Sequence, residues 1–117
     1  MKKYFLPLVC FLFTACDSGN EQQQPPAGLI PKEKMVSLLI DIHIAESKIM
    51  QRNMPGDSAQ VLFQDYKAEI LKKMKVDKEV FRKSYEYYMV NISDMDAIYA
   101  IVVDSLSLRE STGKLSY

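Results

Sequence analysis

Glycine and proline nearly vanish from most of this chain. After Pro31 they occur only at Pro55, Gly56 and Gly113. Tight turns between strands draw on those residues. No stretch alternates apolar and polar between such turn signals. Apolar residues recur instead at helical spacing. The chain is therefore read as all-α, a small bundle of about four amphipathic helices.

The first helix is expected over residues 31–52, with Pro31 in its first turn. Met35, Leu38, Leu39, Ile42, Ala45 and Ile49 form one apolar face, and Ile40 and Ile44 lie on the other side, so both sides are expected to be covered. Asn53-Met54-Pro55-Gly56 ends it. Asp57 or Ser58 is the expected cap of a second helix running to Lys75, with Ala59, Leu62, Phe63, Tyr66, Ile70 and Met74 inward. Asp77 is the expected cap of a third, over 78–90, with Val80, Phe81, Tyr85 and Tyr88 inward. Asn91-Ile92-Ser93 breaks that helix. Ser93 with Asp96 three residues on has the form of a capping box. The fourth helix then carries Met95, Ile98, Tyr99, Val102 and Leu106 inward to about residue 110. Residues 111–117 read as a frayed tail.

The N-terminus reads as an address. Lys2 and Lys3 precede an uncharged apolar run from Tyr4 to Ala15. Twelve helical residues rise about 18 Å, too little for a hydrocarbon core of about 30 Å. A short basic region before a short apolar region reads as a secretory signal. Phe13-Thr14-Ala15-Cys16 resembles the lipobox of bacterial lipoproteins, with Phe13 where that motif usually has Leu. The resemblance implies diacylglyceryl transfer to the Cys16 thiol and cleavage before it. Residues 1–15 are then a cleaved signal peptide, and residues 16–28 a lipidated cysteine and a Gln- and Pro-rich tether of disordered composition. Residues 29–110 form the helical domain.

Cleavage changes the composition that matters. The whole chain balances 15 basic against 15 acidic residues. Without Lys2 and Lys3 it is mildly acidic. Cys10 leaves as well, so the mature domain has no free thiol, disulfide or thiolate metal ligand.

Ile30-Pro31-x-x-Lys34-Met35 and Leu39-x-Asp41-x-His43-x-Ala45-Glu46 open a wider likeness. It continues through Tyr66, Val76-Asp77-Lys78-Glu79-x-Phe81, Ser84-x-x-Tyr87-Tyr88 and Ile98-Tyr99-x-x-Val102. The ordered set resembles a family of Bacteroidota lipoproteins with a domain of unknown function. The resemblance implies a cell-envelope location and no mechanism. The expected site is the outer membrane, reached through the lipid on Cys16, palmitate included.

Chemistry-bearing residues are few. With Met35 at zero on a helical wheel, the apolar stripe centres near 340°, Glu46 falls at about 20°, His43 at about 80° and Asp41 at about 240°. His43 and Glu46 can therefore touch, and Glu46 is expected inside the apolar stripe. A metal or proton-handling pair is the sharper reading. The plainer one is a polar pair that fixes helix register. His43 is the sole histidine, short of the three protein ligands a zinc site needs. No catalytic residue, metal or cofactor is assigned.

Tyr87 is expected to point away from the face shared by Tyr85 and Tyr88, as part of an interaction surface. Lys72, Lys73, Lys75, Lys78, Arg82 and Lys83 bracket the turn between the second and third helices. They read either as a solvated face or as a basic edge for anionic headgroups or an acidic partner. Nucleic acid is not an expected partner of an exported domain. The function expected from the sequence is a lipid-anchored binding or adaptor domain with an envelope protein partner. A chaperone-like helper is the alternative, and an enzyme with an unrecognised site the second.

Overall fold

A computed structural model describes residues 23–113. The expected signal peptide, Cys16, the expected tether up to residue 22 and the expected tail beyond residue 113 lie outside the described residues. Within them the chain is helical without strands, as its spacing predicts: α1 (Lys32–Met50), α2 (Gly56–Lys73), α3 (Lys78–Val90) and α4 (Ile92–Ser111).

The helix ends show which local signals win. Asp77 caps α3 as expected, its carboxylate accepting from the Glu79 N–H at 2.8 Å and the Val80 N–H at 3.3 Å. The expected cap of α2 at Asp57 or Ser58 is not formed. Pro55 occupies the cap position at φ −55°, and its carbonyl accepts from the Ala59 N–H at 2.9 Å. The preset proline φ starts the helix early and moves Asp57 and Ser58 into its first turn. Pro31 likewise sits at the cap of α1, one position before its expected place.

The expected Ser93–Asp96 box is also absent, because α4 begins two residues sooner, with Asn91 at its cap. The Asn91 side chain serves the helix behind it, donating to the Tyr87 carbonyl at 2.7 Å. One residue thus joins α3 to α4.

The end of α2 is a Schellman motif. The Val76 N–H reaches the Leu71 carbonyl at 2.9 Å and the Lys75 N–H reaches that of Lys72 at 3.1 Å. Lys75 takes the left-handed position at φ 54°, where glycine is usual.

The core centres on α1, which packs along both α2 and α4. Met35, Val36, Leu38, Leu39, Ile40, Ile42, Ala45 and Ile49 are all buried. They span well over half of the helix circumference, so the expected two-sided cover is present. Phe81 and Tyr88 of α3 and Met95, Ile98 and Val102 of α4 complete the core. From α2 only Leu71 is buried; the stripe expected there is half-buried.

The domain begins earlier than residue 29. Leu29 N–H closes a turn on the Pro26 carbonyl at 3.1 Å, with Gly28 at φ +74°. A positive φ at the third turn position suits glycine. Leu29 then packs against the core and Ile30 enters it.

Candidate functional site

His43 and Glu46 do meet. Nδ1 of His43 lies 3.2 Å from Oε2 of Glu46. Glu46 is not buried as the wheel predicts: its side chain is 51% exposed. Near the start of α1 the neighbouring side of the helix is covered, as buried Val36 and Ile40 show, while near its end only the side carrying Ala45 and Ile49 is. A wheel projects both ends onto one circle and cannot register where cover stops.

The His43 ring packs edge-on against Tyr99 of α4, centroids 5.9 Å apart. Its Nε2 is buried without a hydrogen-bond partner among the described residues. Burial, then a hydrogen bond with Tyr85, then the charges of Tyr85 and Glu46 push the Tyr99 hydroxyl up to about 12. The cluster joins α1, α3 and α4. No group of three metal-ligating side chains occurs among the described residues.

A second polar device lies at the chain entry. The Ile30 N–H donates to Ser84 Oγ at 3.0 Å, and the Tyr88 hydroxyl donates to the Ile30 carbonyl at 2.6 Å, both buried. Ile30, the residue before the Pro31 cap of α1, is thus held at both backbone groups by side chains four apart on α3. Burial raises the Tyr88 hydroxyl pKa above its usual value. Lys32 adds an ion pair with Asp94, which ties the start of α1 to that of α4 and raises the Lys32 pKa.

Sequence reasoning placed Tyr88 inward but missed Ser84 and this clamp. The signal was present in the pairing of Ile30-Pro31 with Ser84-x-x-Tyr87-Tyr88, two stretches more than fifty residues apart. Tyr87 does not project away from the core: it is half-buried, packed edge-on to Tyr88 at 5.6 Å. Helix α3 is partly covered on two sides, which a single apolar stripe does not predict.

The six basic residues at the α2–α3 turn are all exposed. They divide into two groups. The Arg82 guanidinium forks onto both oxygens of Glu79 at 3.0 and 2.5 Å and reaches Glu86 at 2.6 Å. This raises the Arg82 pKa and lowers that of Glu79. Lys83 stands 4.0 Å from the same Glu79. Lys72, Lys73, Lys75 and Lys78 have no ion-pair partner among the described residues. Lys67 lies over the Phe81 ring at 5.1 Å, beside a depression of about 370 Å³ lined also by Asp77, Lys78, Glu79 and Arg82.

This helical unit matches a family model described as a domain of unknown function (DUF4296) over residues 26–112. The protein belongs to the DUF4296 family. The match opens at the Pro26 turn and closes at the C-cap of α4, so the DUF4296 domain includes the clamped entry segment as well as the four helices. No curated protein and no solved structure matches the chain.

The DUF4296 domain also shows an outer apolar surface on α4. Ile101 and Leu108 are 55% and 63% exposed there, while Ile92 and Val103, also exposed, lie about 160° around the helix from them. Ala97, Ile101 and Leu108 fall within about 40° of one another on the helix, about 110° around from the Met95–Ile98–Val102 face. No described helix is long and apolar enough to cross a membrane.

Proposed function

We propose that this protein is a lipid-anchored bacterial envelope lipoprotein, of the Bacteroidota type it resembles, whose DUF4296 domain is a protein-binding adaptor. The observation that carries the adaptor reading is α4. Beyond its buried Met95–Ile98–Val102 face it carries Ile101 and Leu108, which the chain leaves exposed. Grouped exposed apolar side chains mark interaction sites. Exposed Asp96 and Asp104 lie on the same outward half of the helix. The matching partner presents an apolar groove edged by basic residues. The lipid anchor is supported by the basic start, the apolar run and the Phe13-Thr14-Ala15-Cys16 motif.

Two measurements test this. The mass of the chain recovered from bacterial membranes should correspond to a diacylated chain beginning at Cys16; an unmodified cysteine, or retention of residues 1–15, overturns the anchor. A photo-crosslinking residue in place of Ile101 should trap one protein species in stoichiometric yield, and Leu108→Asp should abolish the crosslink without loss of helical circular dichroism. A chain recovered only as a lone monomer, or a crosslink indifferent to Leu108→Asp, overturns the adaptor reading.

A further inference from the structure

The lysine tip between α2 and α3 has a position as well as a charge. Resting on the lipid-anchor reading above, we propose that it is a membrane-contacting surface: Lys72, Lys73, Lys75 and Lys78 seat on the anionic phosphates of the bilayer that holds Cys16.

The charge is concentrated at the tip. Arg82 and Lys83 farther along α3 are answered by Glu79 and Glu86, whereas the four tip lysines have no acidic partner among the described residues. They fall within seven consecutive residues whose one acidic member, Asp77, is engaged as the α3 cap, for a net side-chain charge of +3.

The tip is also preorganised. The Schellman motif closes α2, Asp77 caps α3 two residues after Lys75, and Met74 and Val76 pack on the core. Holding charges in place before contact lowers the ordering cost of binding.

The tip lies near the chain entry. Lys78 is six residues, about 9 Å of helix, from Ser84, whose hydroxyl holds the Ile30 backbone. Helix α2 is joined to α1 by a short connection and packs along it, which returns its last turn toward the start of α1. The tether therefore leaves the domain close to the lysines. Fourteen residue-to-residue steps lead from Cys16 to Ile30, a reach of at most about 50 Å. Such confinement gives a high effective concentration, of millimolar order for short flexible linkers, so a weak contact suffices. Each lysine near an anionic surface contributes roughly fivefold to binding, and the attraction is screened within about 10 Å at 0.1 M salt.

The experiment uses the full chain, expressed in bacteria, purified from their membranes and reconstituted into vesicles. Mass measurement first reads the state of Cys16. Lysine acylation by a membrane-impermeant reagent is then compared in phosphatidylcholine vesicles and in vesicles with about one-third phosphatidylglycerol. Labelling of Lys72, Lys73, Lys75 and Lys78 should slow at least threefold in the anionic vesicles and recover in 0.5 M salt. Lys48, near the far end of α1, should be unchanged. Absence of the lipid on Cys16 overturns the anchor and the contact with it. An acylated chain whose tip lysines label equally in both vesicle types overturns the contact alone. Tip protection confined to intact, protein-bearing membranes also overturns it, in favour of an acidic protein partner.

Discussion

Tyr88→Phe isolates one atom. The Tyr88 side chain is 2% exposed, and its hydroxyl donates at 2.6 Å to the carbonyl of Ile30, itself 4% exposed. Phenylalanine keeps the ring, so packing in the core is retained. What is lost is the donor, which leaves a buried carbonyl unsatisfied. That costs about 1–3 kcal/mol. A domain of this size holds about 5–13 kcal/mol in total, so the loss should lower Tm by about 5–15 °C.

Ser84→Ala removes the other half of the clamp and leaves the Ile30 N–H unpaired, with a cost in the same range. The double variant should cost less than the sum. Once both bonds are gone, the Leu29–Ile30 segment can lift off and hydrate its backbone, which caps the penalty near the burial value of one large apolar side chain, about 1.5–3 kcal/mol. Urea denaturation of the three variants gives the free energies, and hydrogen exchange at the Ile30 amide reports the segment directly. Tyr88→Phe within 0.5 kcal/mol of wild type, with Ile30 still slow to exchange, would refute the clamp.

Four further outcomes follow from the same geometry. Lys75→Gly should stabilise the domain by up to about 1 kcal/mol, because glycine adopts the left-handed position at φ 54° without the Cβ penalty; destabilisation in urea titration would contradict the Schellman end. Asp77→Ala should cost about 1 kcal/mol through two unsatisfied amides at the start of α3, and a chevron or thermal melt unchanged from wild type would count against that cap. Glu46→Gln should shift stability by less than about 0.5 kcal/mol, since the side chain is half-exposed; a large loss in the melt would restore the buried stripe position. The last concerns alkaline pH. Tyr99 is held neutral in the fold, with its pKa raised to about 12 from an ordinary value near 10, so the folded state binds its proton more tightly than the unfolded chain. The associated stability is present below about pH 10 and is lost as pH rises towards 12. Tyr99→Phe should flatten that decline in pH-dependent denaturation, and an unchanged slope would remove Tyr99 as its cause.

Local signals explain most of what could be read in advance. The Asp77 cap of the third helix is contained within four residues of chain, from Asp77 to Val80, so its physics is local. The α1 face of Met35, Leu38, Leu39, Ile42, Ala45 and Ile49 is legible because 3.6-residue periodicity is a property of one segment. The misses share another character. At Pro55 the fixed proline φ outcompetes Asp57 and Ser58 for the cap, and at Asn91 the cap lies where α3 ends, its side chain bonded to the Tyr87 carbonyl. Glu46 and Tyr87 depend on how far along a helix its neighbours extend, which no single-segment pattern encodes.

The sequence by itself determined the helical class, the approximate extent of each helix, the basic tip and the lipobox-like address, because all of these are written in contiguous residues. Tertiary structure alone decided that Ser84 and Tyr88 clamp Ile30 and that α4 keeps an apolar side uncovered. Those outcomes depend on groups far apart in the chain arriving within hydrogen-bond or van der Waals distance, and only the packing of α1, α3 and α4 sets that distance.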